Sequence, residues 1–291
     1  MIKDFIKYLS YEKRYSEHTI KSYKTDIEQF CQFIVSHTDK KYTEDHKIIR
    51  LWIIKLDENG NSSRTINRKI SSLKTYYKYL IKENIIKLNP LEKVNSPKVN
   101  KNLPQFVSED DIKLLFTKIT YPDDFKGIRD QLILELLYFT GIRLSELQNL
   151  QTKDIDFNAK SIKVQGKRQK ERIIPISDNL IHLINIYIKR KKELSVETDQ
   201  EYLFITDKGK KIYEKLIYRT VKNYLQQVTT INKKSPHILR HTFATHLLNK
   251  GADLNAIKEL LGHANLSATQ VYTHNTIDKL NQIYKQAHPR A

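Results

Sequence analysis

The chain has 291 residues, 51 Lys and Arg against 33 Asp and Glu, a formal net charge of +18 and a single cysteine. That length holds two domains with cores of their own, and Cys31 alone excludes an internal disulfide and suits a reducing compartment. No apolar run approaches the ~20 residues of a membrane-spanning helix, and the N-terminus has no secretory signature, so a cytoplasmic protein is expected. Residues 1–100 hold 20 basic and 12 acidic side chains and residues 101–291 hold 31 and 21. Both halves are therefore basic, which suits a protein that grips a polyanion with two domains; any single lysine is equally a product of a Lys-rich composition.

Residues 2–84 read as four helices. Phe5, Ile6 and Leu9 open the first; Ser16 caps the second, where Ile20, Tyr23, Ile27, Phe30 and Ile34 recur at helical spacing. Ile48, Leu51, Trp52 and Leu56 mark the third, which ends at Asn59-Gly60. Ser62 or Ser63 starts the fourth, with Ile66, Ile70, Leu73, Tyr77 and Leu80 on one stripe. These aromatic and aliphatic stripes are core faces. The opposite face of the fourth helix offers Arg64, Arg68, Lys69 and Lys78 as candidate phosphate contacts, or as an ordinary solvated face.

From Asn89 to Pro104 three X-Pro steps and three lysines interrupt any apolar period, so an extended basic linker is expected there. The domain plan is thus residues 1–88, a linker at 89–106 and a second domain at 107–291. Helix resumes after Ser108-Glu109-Asp110-Asp111 and runs through 127–137 until Gly141 breaks it before Arg143. Ile155–Phe157, Ser161–Gln165 and Arg172–Ile176 read as three short strands, with Asn158–Lys160 and Gly166–Lys170 as turns. Helices are expected from Leu180 to the end. The fold class is mainly α, four helices followed by a mostly helical domain with one small three-stranded antiparallel sheet.

The chemistry concentrates in Pro236-His237-Ile238-Leu239-Arg240-His241-Thr242-Phe243-Ala244-Thr245-His246, followed by Leu261-Gly262-His263 and Val271-Tyr272-Thr273-His274. A guanidinium binds phosphate in a fork and stays charged; a phenol can act as a nucleophile, and imidazoles can manage its proton. That set points to a tyrosine attacking a phosphodiester. Tyr272 is singled out among seventeen tyrosines by its position after Leu261-Gly262-His263 and by its polar neighbours Thr269, Gln270, Thr273 and His274. No His-Glu-x-x-His, cysteine pair, Walker sequence or Gly-rich dinucleotide fingerprint is present, so neither metal nor cofactor is expected.

His-x-x-Arg-His, Leu-Gly-His and a Tyr nine residues after that His resemble box II of the tyrosine recombinases. Thr140-Gly141-Ile142-Arg143-Leu144-Ser145-Glu146-Leu147 is similar to their box I, and Gln165-Gly166-Lys167-Arg168-Gln169-Lys170-Glu171-Arg172 before Ile173-Ile174-Pro175 to the hairpin that carries their lysine. The ending His288-Pro289-Arg290-Ala291 resembles the Xer branch of that family, which resolves chromosome dimers. The resemblance implies a SAM-like core-binding domain over the four helices and a catalytic domain after the linker. It implies cleavage through a 3′-phosphotyrosyl bond to Tyr272, with Arg143 and Arg240 on the phosphate oxygens. His237 would assist removal of the phenolic proton, His263 would donate a hydrogen bond to phosphate, and Lys167 would protonate the departing 5′-oxygen. Lys170 is the rival on the same turn, and His241 and His246 are expected to be structural. Glu146 is read as a buttress for the Arg143 guanidinium, against the alternative of a surface i,i+3 pair.

The partners implied are double-stranded DNA with a palindromic site, a homo- or hetero-tetramer on two such sites, and a DNA translocase at the division septum. Ile277, Leu280, Ile283 and Tyr284 form a stripe in the tail that the family reading docks on a neighbouring protomer; packing on its own domain is the alternative. Two other readings compete. A phage or mobile-element integrase would share the chemistry, though it often adds an N-terminal arm-binding domain for which Met1-Ile2 leaves no room. A non-cleaving architectural DNA-binding protein would not need Arg143, Lys167, His237, Arg240, His263 and Tyr272 together.

Overall fold

A computed structural model describes residues 1–38, 42–98, 105–166 and 171–262, and the chain divides into two compact units, Met1–Leu103 and Pro104–Ala291. The first unit contains helices α1 (Ile2–Lys7), α2 (Glu17–His37), α3 (His46–Glu58) and α4 (Ser63–Lys82), with a single π-turn, Tyr8–Glu12, extending α1. Local chemistry sets the helix starts. Ser16, Asp45 and Ser62 each accept a backbone N–H of the first turn, satisfying donors that the helix leaves unpaired. The apolar stripes meet in one core, in which Phe5, Leu9, Ile27, Phe30, Ile34, Ile66, Leu73 and Tyr77 are completely buried; in α3 the inward face is Ile49, Trp52 and Leu56, while the expected Leu51 is exposed.

Residues 89–98 depart from the expected extended linker. Asn89 caps a 3-10 turn, Pro90–Lys93, whose Leu91 and Val94 join the first core. Proline at the first position of a short helical turn loses no hydrogen bond, so Asn89-Pro90 starts a turn here rather than breaking one. Residues 99–104 of the expected linker lie outside the described residues.

The second unit opens with α5 (Glu109–Thr117), capped by Ser108, and α6 (Phe125–Thr140), capped by Asp124. Helix α6 is buried from Gly127 to Thr140 but for the half-buried Gln131, its charged Arg129, Asp130 and Glu135 included, as expected of the central helix of a core. It packs on α7 (Leu144–Asn149), α8 (Asp178–Lys192), α9 (Glu214–Val228) and α10 (Pro236–Asn249). The antiparallel sheet has the order β1 (Ile155–Asp156), β2 (Ser161–Gln165), β3 (Glu171–Pro175), with Ile162 opposite Ile174 and Val164 opposite Arg172. Helix α11 (Leu254–Leu261) follows α10.

Residues 193–213 are not helical, contrary to the expectation of helix from Leu180 onward. Leu203, Phe204 and Ile205 are fully buried in an irregular stretch held by the Leu203 N–H to the Leu150 carbonyl (2.8 Å) and the Ile212 N–H to the Phe204 carbonyl (3.1 Å). A consecutive apolar run has no helical period, and it packs here as extended chain.

Candidate active site

Helix α6 ends at Gly141, whose backbone is left-handed at φ 59°. A Cβ at this position would lie 2.5 Å from Phe243 and 2.8 Å from Leu261, so both the turn and the close approach of α10 and α11 require glycine. The turn delivers Arg143 to the start of α7. There the Glu146 carboxylate accepts the Arg143 backbone N–H (2.8 Å) and Nη1 (2.7 Å).

Glu146 is buried, with its side chain 3% exposed, and its second partner is Arg172. The Arg172 guanidinium grips both carboxylate oxygens, at 2.8 and 2.7 Å. Burial alone would raise the Glu146 pKa. The hydrogen bonds and charge of Arg172, with the Arg143 backbone and side chain, overcome that and hold it down from 4.5 to about 2. The pair with Arg143 is therefore no surface i,i+3 contact: the carboxylate is buried and shared between two guanidinium groups.

Arg240 lies one turn after His237 on α10, which starts at Pro236 in its first position. Its side chain donates Nη1 to the Gly141 carbonyl and Nη2 to the Leu261 carbonyl (2.6 Å). Burial first, and then repulsion from Arg143 and Arg172, lowers its pKa to about 9, with Glu146 opposing. It remains a cation at neutral pH, with no carboxylate of its own among the described residues. Arg143 Nη2 donates to the Gly262 carbonyl at 2.8 Å. Thus the segments of Arg143 and Arg240, which resemble box I and box II, are joined at the C-terminal end of α11.

Two depressions flank this junction. One, about 660 Å³, is lined by Arg143, Glu146, Lys163, Gln165 and Gly166 among others. The other, about 450 Å³, is lined by His237, Arg240, His241 and the apolar side chains Leu254, Ile257 and Leu261. The structure thus brings Arg143, Glu146, His237 and Arg240 into one neighbourhood. Lys167, His263 and Tyr272 lie outside the described residues, as do the rival Lys170 and the tail stripe Ile277, Leu280, Ile283 and Tyr284.

His246 is buried, its ring nitrogens 3.0 Å from the Tyr138 hydroxyl and 3.0 Å from the Val107 carbonyl. Burial lowers its pKa, so the neutral ring bridges α6 to the start of the second unit. His241 is half-buried at the edge of the smaller depression.

In the first unit Arg64, Arg68 and Lys78 are exposed, but Lys69 is not on that face. It is 5% exposed, and its ammonium donates to Asp26 (3.1 Å) and to Gln29. Arg68 also reaches Asp26. The reason is Asp26 itself, a carboxylate 1% exposed within the α2 stripe, which demands a cation partner inside the core. Arg172 was likewise overlooked as a site residue. Its signal was strand alternation, which puts position 172 on the same inward face as Ile174 and thereby requires a buried carboxylate for it.

Known proteins fit the same pattern. The family described as "Phage integrase family" matches residues 105–279, and "Phage integrase, N-terminal SAM-like domain" matches residues 2–84. Tyrosine recombinase XerC of Staphylococcus epidermidis is 40% identical over 289 residues, covering 99% of this chain and 96% of that protein. XerC of Anoxybacillus flavithermus is 39% identical over 291 residues, covering 99% and 97%. Among solved structures, XerH site-specific recombinase bound to palindromic difH substrate in a post-cleavage complex matches with a TM-score of 0.72 at 22% identity, over 97% of this chain and 83% of that one. The Tn1549 transposon integrase in complex with transposon right end DNA gives 0.69 at 22% identity, over 97% and 98%; at such identities both likenesses concern the fold. No described helix is long and apolar enough to cross a membrane. Matched in both units by the family's two domains and along its length by relatives near 40% identity, the chain belongs to the phage integrase family and is a tyrosine site-specific recombinase.

Proposed function

We propose that this recombinase cuts and rejoins double-stranded DNA through Tyr272 and resolves chromosome dimers before cell division. The Tyr272 oxygen attacks the phosphorus, the bond to the 5′-oxygen breaks, and a 3′-phosphotyrosyl bond and a free 5′-hydroxyl result. His237 assists removal of the phenolic proton, and Lys167 supplies one to the departing oxygen. Arg143 and Arg240 stabilise the charge that grows on the non-bridging oxygens, His263 adds a hydrogen bond, and Glu146 holds Arg143 in place. The reverse transesterification rejoins the strand with no external energy source.

The observation that carries this reading is the convergence of Arg143 and Arg240 on consecutive carbonyls, Gly262 and Leu261, with Arg240 only 9% exposed and one turn from His237. A buried guanidinium held by carbonyls, with no carboxylate on it among the described residues, keeps its charge for an incoming anion. A non-cleaving architectural protein has no use for such a device. The full-length relatives named XerC favour dimer resolution over integration, since the likeness to the transposon integrase concerns the fold alone.

In this reading residues 1–88 are the DNA-clamping domain, 89–106 the connection and 107–291 the catalytic domain. Arg64 and Arg68 contact phosphates. Four protomers, of one or two kinds, assemble on two palindromic sites under the control of a septal DNA translocase. The stripe Ile277, Leu280, Ile283 and Tyr284 docks on a neighbouring protomer and couples the active sites.

Tyr272→Phe should bind the half-site duplex as the unaltered protein does yet form no denaturant-stable adduct. An adduct from this variant would move the nucleophile elsewhere, Tyr284 being the next residue to test. The same assay on a chain ending at residue 274 should keep single half-site binding and lose cooperative pairing. Unchanged cooperativity would return the tail to its own domain.

A further inference from the structure

We infer that Arg172 is a positioning residue of the recombination reaction, setting where the Arg143 guanidinium stands and keeping its charge available to the phosphate. The inference rests on Arg143 and Arg240 being the phosphate donors, as proposed above. Its ground is a pattern at the end of α11. Three successive carbonyls, of Leu260, Leu261 and Gly262, each accept a hydrogen bond from a different arginine, namely Arg172 (2.7 Å), Arg240 (2.6 Å) and Arg143 (2.8 Å). The arginines come from β3, α10 and the start of α7.

Helix C-termini leave carbonyls unpaired and carry partial negative charge, so a cation there is favourable. Three guanidinium groups exceed what one short helix needs, because Gly262 already closes α11 in a left-handed turn with its N–H on Glu259. The helix end acts instead as a ruler that spaces the arginines against one another.

Arg172 has a different part from the other two. Its side chain is 4% exposed, and Nε, Nη1 and Nη2 are all engaged, with Leu260 and with both oxygens of Glu146. It is too enclosed to meet a phosphate. What it touches is the carboxylate that also holds Arg143, whose own side chain is 26% exposed. If Glu146 faced Arg143 alone, the two would form a neutral pair and the arginine would present little charge to DNA. With Arg172 forked onto the same carboxylate, the trio carries one net positive charge, and its exposed member is Arg143. Arg172 also fixes the approach of α11. A Cβ on Gly262 would lie 3.2 Å from the Arg172 side chain, so the Gly262 backbone rests against this arginine.

The test is single-turnover cleavage of a nicked half-site duplex that traps the adduct, with binding measured separately. Arg172→Lys keeps the charge but cannot make the fork. Half-site affinity should stay within about threefold, while cleavage should fall about 10–100-fold, the range typical of losing a group that orients a functional ligand. The pH profile should change too. Glu146 loses donors that hold it near 2, so cleavage by the variant should fall more steeply toward acid than that of the unaltered protein. In a cycle with Glu146→Gln, the second substitution should cost little once the first is present. Cleavage by Arg172→Lys within about threefold of wild type and an unchanged pH profile, or additive losses in the cycle, would overturn the inference. If Arg172→Lys fails to melt cooperatively, Glu146→Gln/Arg172→Met removes both buried charges together, and a loss more than about threefold beyond Glu146→Gln alone would overturn it equally. Arg143→Ala is run alongside: full cleavage by that variant would defeat the assignment of the phosphate donors, a failure distinct from that of Arg172.

Discussion

Glu146 shows how much one carboxylate can organise. It sits in the protein interior with two guanidinium groups on it, and its pKa is depressed from 4.5 to about 2. A depressed acid stabilises the fold above its unfolded pKa, and that contribution disappears as pH falls through the folded value. The gap is worth roughly 3 kcal/mol at neutral pH, lost between about pH 4.5 and 2. Glu146→Gln should therefore be less stable than the unaltered chain at pH 7, by about 3–5 kcal/mol for a broken buried pair, and should lose less further stability on acidification. Denaturant unfolding at pH 7 and pH 3 measures both effects. An equal acid-induced loss in the two proteins would show that this carboxylate is not the acid-labile contact. Arg143 and Glu146 were legible as a pair from their spacing. Arg172 was not, because its partner lies 26 positions away and only the fold brings the two together.

Among the elements, the turn after α6 leaves little freedom. Gly141 is left-handed, is pressed by Phe243 and Leu261, and its carbonyl receives Arg240. Gly141→Ala should cost about 1–2 kcal/mol for the backbone and about 1–3 kcal/mol more for overpacking, and should slow cleavage because the arginine loses its seat. A melting temperature and adduct rate equal to wild type would mean the turn relaxes without cost. Helix starts were readable from Ser16, Ser62 and Ser108, each of which accepts a first-turn N–H. The segment 193–213 was not, since its buried Leu203, Phe204 and Ile205 have no period that separates extended chain from helix. Lys69 was misread for a related reason. Its place at the edge of the α4 stripe admits either face, and Asp26 on another helix decides between them.

For the whole molecule the dominant quantity is charge, +18, spread over both halves of the chain. If both units meet phosphates, the logarithm of the half-site binding constant should fall against the logarithm of salt concentration with a slope of about −5 or steeper, as for six or more contacts. A slope shallower than about −2 would assign the excess lysine to composition rather than to DNA. Fluorescence anisotropy across a salt series gives the slope directly.

By itself the sequence determined the helical class, the four-helix N-terminal segment, the three-stranded sheet and the family, because caps, periods and motif spacings are local and survive without the fold. Only the tertiary structure decided that Lys69 is a buried partner of Asp26, that His246 joins Tyr138 to Val107, and that Arg143, Arg172 and Arg240 end on three successive carbonyls of α11. A buried charge must find its counter-charge or acceptor wherever packing delivers one, and that partner is set by three-dimensional proximity, which no local pattern encodes.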